Sequence, residues 1–254
     1  MNNPKKVAIA GGPGNALRAA KMLKKHAPPE VSVSFIGHLK PFTTGYDLII
    51  NFSTRPGRML VLLTCGGVKV ARVCGSDWHR SIIGKRFHRI MLWLSSFHIM
   101  YASEELKKDV ALKGEVHVNP VNEEHFYPRD VPRSKDVCYY VRNGLASYRP
   151  ELMPGGATVI DGTVPYEEMP ILLSQHQKYV RNILHNASPK LPYEALLCGC
   201  EVVVNGEKLT TVPEYMLTSY QAPRWIKYII DLLPPKSINT YTSITNYTTP
   251  KVKR

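Results

Sequence analysis

Acidic residues are scarce in this chain, and so are the motifs that carry most nucleotide chemistry. Against 33 lysines and arginines stand 20 aspartates and glutamates, a formal net charge of +13 at pH 7. A balance of that sign points to a polyanionic partner: nucleic acid, an anionic membrane surface or a phosphorylated substrate. The absence of G-x-x-x-x-G-K-[ST] excludes a P-loop. No D-x-D pair occurs, which removes one acidic handle for a metal-bound diphosphate. The cysteines (Cys65, Cys74, Cys138, Cys198 and Cys200) lack metal spacing, and the last two read C-x-C rather than C-x-x-C. An odd count without a secretory leader predicts reduced thiols in the cytoplasm, and no metal site. No apolar run approaches the length of a membrane span.

What is present begins with "VAIAGGPGNALRAAKML", Val7 to Leu23: an apolar run, a glycine turn and a helical period. The dinucleotide fingerprint needs a third small residue, and Leu17 stands there after Gly12 and Gly14. What survives is a strand, a tight turn that permits close approach, and a helix N-terminus that favours anions. Gly11, Gly12 and Gly14 making only the turn is the plainer reading.

The pattern then alternates. Strands are expected at Val31–Ile36, Tyr46–Phe52, Val68–Val73, His98–Ala102 and Glu115–Val121, with helices at Arg58–Cys65 and Ile82–Ser95 and one capped by Ser103. "NEEHFYPRDVPRSK", Asn122–Lys135, reads as a linker. The second half repeats the scheme, with strands at Asp136–Val141, Ala157–Gly162 and Cys200–Asn205 and helices at Tyr166–Gln175 and before Gly199. Gln177–Leu184 fits strand or helix. The fold class is therefore α/β, with two Rossmann-like domains facing a cleft. The boundaries are residues 1–124, 125–222, a final helix over 223–234 and a flexible tail over 235–254.

In such sheets ligands bind beyond the carboxyl ends of the strands. Those ends gather the loops at Gly11–Gly14, Asn51–Pro56, Gly75–Arg80, Arg142–Arg149, Gly162–Val164 and Asn186–Pro192. The most specific stretch is "HNASPKLPYEALLCGCEVVVNG", His185–Gly206. A helix should start near Pro192, where backbone N–H groups next to Lys190 and Leu191 can take a phosphate. Glu194, in its first turn, can accept two ribose hydroxyls, or simply complement the helix dipole.

"LPYEALLCGCEVVV" resembles the carboxylate motif of retaining glycosyltransferases of family 4, which have the GT-B fold. The resemblance implies that Glu194 binds the ribose of a nucleotide sugar. The residue eight earlier, where the family has another carboxylate facing the donor sugar, is Asn186. "DVCYYVRNGLASYRPEL" is similar to the diphosphate-binding segment, which puts Arg142 on the donor diphosphate with Arg149 the nearest further cation. "VIDGTVPYEEMPILL" resembles the base-binding strand, with Gly162 and Val164. "VCGSDWHR" ends a strand at the cleft, where Asp77 and His79 are candidates for the donor sugar or for general-base chemistry. The final helix is expected to cross back to the first domain, and Gly12 and Gly14 to wall the cleft.

The resemblance implies a hexosyltransferase-like enzyme moving a sugar from a UDP- or GDP-type donor to a glycan, lipid or protein acceptor. It implies retention, and Arg142, Arg149 and Lys190 favour a metal-free route with no separate cofactor. Between Ser53 and Ala102 the only acid is Asp77, and the helix carrying Lys85, Arg86, Arg89 and Trp93 reads either as membrane-peripheral or as a core helix with a basic edge. The competing reading is a non-catalytic or nucleic-acid-binding protein on the same scaffold. A dehydrogenase is disfavoured by the incomplete glycine fingerprint.

Overall fold

The computed structural model describes residues 3–74, 82–95, 97–141, 149–161, 163–182 and 190–233. The chain runs β1 (Lys5–Ala10), α1 (Asn15–His26), β2 (Val31–Gly37), β3 (Leu48–Asn51), α2 (Pro56–Thr64), β4 (Val68–Val73), α3 (Ile82–Leu94), β5 (His98–Tyr101), α4 (Glu104–Val110) and β6 (Glu115–Val116). It continues through β7 (Lys135–Tyr140), β8 (Thr158–Ile160), α5 (Met169–Ser174), β9 (His176–Arg181), α6 (Lys190–Leu197), β10 (Glu201–Val204), β11 (Glu207–Leu209) and α7 (Thr218–Leu232).

The strands form a six-stranded sheet, β2-β1-β3-β4-β5-β6, and a five-stranded sheet, β11-β10-β9-β7-β8. Every pairing is parallel except β10–β11. A parallel sheet covered on both faces needs apolar residues at consecutive positions, which is why "VAIA" and "LII" are continuous runs. Alternate residues then serve opposite layers. Val7, Ile9, Leu48, Ile50 and Val70 pack with α1 and α7, while Ala8, Ala10, Ile49, Ala71 and Val73 pack with α2, α3 and α4. A separate core of Cys138, Ile160, Leu173, Tyr179, Ala195 and Val202 holds the second sheet.

Helix α7 comes after the second sheet in sequence yet buries Ala222, Trp225, Tyr228 and Ile229 in the core of the first. Their spacing puts all four on one helical face. The helix begins at Thr218, before the expected residue 223, and accommodates Pro223 within its second turn.

The stretch 122–135 is more tightly built than a linker. Phe126 is buried in the second core, the Arg129 N–H donates to Ser174 Oγ at 2.9 Å, and Arg133 donates to the Cys198 carbonyl at 2.8 Å. That last bond satisfies a carbonyl at the end of α6, where Gly199 closes the helix with φ +82°. The ambiguous segment at Gln177–Leu184 is strand β9, because it pairs on both sides with β7 and β10. Strand β11 was unexpected; it follows a tight turn at Asn205 and Gly206, both at positive φ, the geometry that Asn-Gly hairpins favour.

In both sheets the first strand has its successor on one side and a later strand on the other. The first switch point lies between β1 and β3, the second between β7 and β9. Chains diverge there and leave a crevice at the strands' carboxyl ends. Among the described residues no helix is long and apolar enough to cross a membrane.

Candidate functional site

The first crevice is bounded by the turn after β1. A Cβ on Gly11 would lie 2.8 Å from Ala16 Cβ and 2.9 Å from Phe52 Cβ, so this glycine lets the turn, α1 and the end of β3 meet. A Cβ on Gly12 or Gly14 meets nothing within 4 Å. The turn thus divides its labour: Gly11 is required by packing, and the other two border open space.

Arg72 of β4 is fully buried. Its guanidinium lies 4.4 Å from the Trp225 ring centroid and 5.2 Å from that of Phe52, and donates to the His117 carbonyl at 2.6 Å and to Asn119 Oδ1 at 2.9 Å. Burial lowers its pKa to about 10. Its Nε and Nη1 have no hydrogen-bond partner among the described residues. Although it falls within the basic stretch 53–102, Arg72 is no part of a solvated face.

A cavity of about 160 Å³ opens between α1 and α6, lined by Asn15, Arg18, Lys21 and His26 from α1 and by Asn119, Tyr166 and Lys190 opposite. Arg18 lies over the Tyr166 ring at 3.9 Å, and His125 stacks on the ring at 4.5 Å. Lys190, the first residue of α6, has a side chain only 12 % exposed and a pKa lowered to about 8. Burial is the main cause; Glu194 opposes it, and Arg18 and Arg72 add to it. Cations gathered at a helix N-terminus make an anion site.

Glu194 is buried, 3.7 Å from Lys190 Nζ. Oε1 is the oxygen of that pair, and among the described residues it makes no further hydrogen bond. The described part of α6 begins at Lys190, two residues before Pro192. The ion-pair partner of Glu194 is Lys190.

The other expected residues are more dispersed. Arg149 is exposed, its Nε donating to Glu151 Oε1 at 2.8 Å, while its carbonyl accepts from the Tyr139 hydroxyl. The Leu191 and Val164 side chains pack against the second core, and Val164 also borders a surface cavity beside α5. Asp77, His79, Arg142, Gly162 and Asn186 lie outside the described residues. On α3, Arg86 and Arg89 are exposed beside Ile90, Trp93 and Leu94, with Trp93 69 % exposed, while Leu92 is buried. Trp93 is therefore on the solvent side of a helix that packs Leu92 into the core and keeps a basic edge exposed.

Arg18 and Tyr166 were not anticipated from sequence. Arg18 stands in the first turn of α1, next to Ala19 and Ala20. Among the described residues no group of three or more His, Cys, Asp or Glu side chains could hold a metal ion.

No family model matches this chain, and no curated protein matches it by sequence. Among solved structures it is similar to sucrose-phosphate synthase from Thermosynechococcus elongatus, with a TM-score of 0.52 and 11% identity over 80% of this chain and 81% of that one. At that identity the likeness concerns the fold alone, a GT-B-like α/β scaffold.

Proposed function

We propose that this protein is a glycosyltransferase that moves a sugar from a nucleotide-diphosphate donor of the UDP or GDP type to an acceptor, with retention and without a metal. The observation that carries this reading is the buried ion pair of Glu194 Oε1 with Lys190 Nζ, 3.7 Å apart at the head of α6, beside a cavity lined by Arg18 and Lys190. A carboxylate of that kind suits two ribose hydroxyls, and the cations beside it suit the diphosphate. The GT-B-like scaffold supports the same reading.

In this mechanism Lys190, Arg18 and the α6 N-terminus stabilise the charge that develops on the leaving diphosphate. Fixed cations do so without reorganisation, which is where most of such a rate enhancement arises. Arg142 and Arg149 are assigned to the same charge; Arg149 would exchange its surface partner Glu151 for phosphate. Gly162 and Val164 are assigned to the base, and Asn186 to the donor sugar. Asp77 and His79 are assigned to the donor sugar. Gly12 and Gly14, with open space above them, leave room for the donor. At about 160 Å³ the described cavity suits a diphosphate, being smaller than the roughly 300–1,000 Å³ of whole small-molecule sites. The exposed Trp93, Ile90 and Leu94 beside Arg86 and Arg89 support a peripheral contact with an anionic membrane from the cytoplasmic side.

Thermal unfolding with UDP or GDP in the presence of a chelator tests the donor site. Stabilisation that disappears in Glu194→Ala is expected. No response to either nucleotide, together with tight, salt-sensitive binding of DNA or RNA, would replace this reading with a nucleic-acid-binding one.

A further inference from the structure

Arg18 and Tyr166 belong to different cores. Arg18 lies on α1, whose Ala16, Ala19 and Ala20 are buried in the core of the first sheet. Tyr166 stands between β8 and α5 and packs against the second core. Both line the first cavity, together with Lys190. The guanidinium carbon lies 3.9 Å from the ring centroid, well within range of attraction between a cation and a ring face.

The tyrosine ring is itself held. His125 lies nearly parallel to it, at 4.5 Å and 20°, and Phe126 meets it edge-on at 5.4 Å. His125 Nε2 is 3.2 Å from the Tyr166 carbonyl, and Phe126 is buried in the second core. Arg18, by contrast, makes no hydrogen bond or ion pair among the described residues. Stacking occupies the face of a guanidinium and leaves its five in-plane N–H donors. None of the Arg18 nitrogens is both buried and unpartnered, so the free donors are accessible, and the residue borders the cavity. Its charge is also near enough to Lys190 to help lower the lysine's pKa. Two cations that close repel, and an anion bound to both relieves the repulsion. A long arginine free in water samples many rotamers that binding must freeze; the ring has already fixed this one.

We infer that Tyr166, held by His125 and Phe126, is a positioning residue that presents the edge of the Arg18 guanidinium to a diphosphate in the first cavity. The anion then contacts Arg18 from one core and Lys190 from the other. That the diphosphate belongs to a nucleotide sugar rests on the transfer reading; the dependence of anion binding on the stacked pair does not.

Isothermal titration of the full chain with inorganic pyrophosphate is the test, with UDP titrated separately. Tyr166→Leu removes the ring face and should weaken pyrophosphate by about fivefold or more. Tyr166→Phe keeps the face and should stay within about twofold of the parent. Arg18→Lys keeps the charge without the planar fork, and should lose about as much as Tyr166→Leu. Arg18 is half-buried at the surface of α1, so this variant should fold even where Tyr166→Leu loosens the second core. Combining the two should add little to either loss, because both remove the same presented fork. The inference is overturned if the parent does not bind pyrophosphate, if Tyr166→Leu or Arg18→Lys binds it like the parent, if Tyr166→Phe loses as much as Tyr166→Leu, or if the two losses multiply. Pyrophosphate binding that depends on the stack, without UDP binding, keeps the inference and removes the donor reading. UDP binding indifferent to Tyr166→Leu does the reverse.

Discussion

Glu194→Gln probes the electrostatic core of the candidate site with almost no change of shape. Glu194 is the group that holds Lys190 protonated against burial and against Arg18 and Arg72. At the 3.7 Å separation of this pair, with the ion pair 12% and 4% exposed, screening by water is weak. An effective dielectric constant of about 20 puts the attraction near 4 kcal/mol, a ceiling of about three pKa units. Relaxation and entering water reduce that, so a fall of at least about one unit is expected, from about 8 in the parent to about 7 or below. The assay is a pH titration of the lysine side-chain carbons by NMR, with Lys190→Met identifying the signal. The sign follows for ligand binding. Lys190 is cationic below its pKa, so its attraction for a diphosphate is lost as pH rises through about 8, and in the variant through about 7. A Lys190 midpoint that does not move in Glu194→Gln, or a parent midpoint at the ordinary lysine value, would refute the coupled pair and the anion site built on it.

Two further predictions concern the supporting structure. Gly11→Ala should lower stability by about 1–3 kcal/mol in urea unfolding, because its Cβ would press on Ala16 and Phe52, whereas Gly12→Ala should stay within about 0.5 kcal/mol of the parent. Equal losses would remove the distinction between packing glycine and cleft wall. His117 is 3% exposed at its side chain, and its pKa is lowered to about 4, first by burial and then by Arg72 and Arg224. Its folded pKa lies below the unfolded value of about 6.5, so the unfolded chain binds more protons between them. Stability should therefore fall as pH drops from about 6.5 to about 4, by about 3 kcal/mol, and His117→Gln should flatten that slope.

The strands of the first sheet were legible because covered parallel strands must be apolar at consecutive positions, and "VAIA" and "LII" are. The Ser103 cap was equally local: its hydroxyl accepts from the Leu106 N–H at 3.2 Å. Strand β11 could have been read from Asn205-Gly206, whose turn preference is intrinsic to those two residues. Gln177–Leu184 could not, since only its two neighbours in the sheet decide that it is a strand. For the site, the sequence alone pointed to Glu194, Lys190 and the glycine turn, because each belongs to a helix terminus or a motif of fixed spacing.

What the tertiary structure alone decided is where charge is buried. Arg72 belongs to a basic run and looks like its neighbours in sequence; its place between Phe52 and Trp225 exists only because α7 returns to the first sheet. Arg18 and Tyr166, far apart in the chain, meet across the cavity that Lys190 closes. Local periodicity reports which face of an element is apolar, but desolvation and pairing of a charge depend on what long-range packing brings against it. The sequence alone determined the α/β scaffold and the residue types at its strand ends, and tertiary packing selected which of those residues share a cavity.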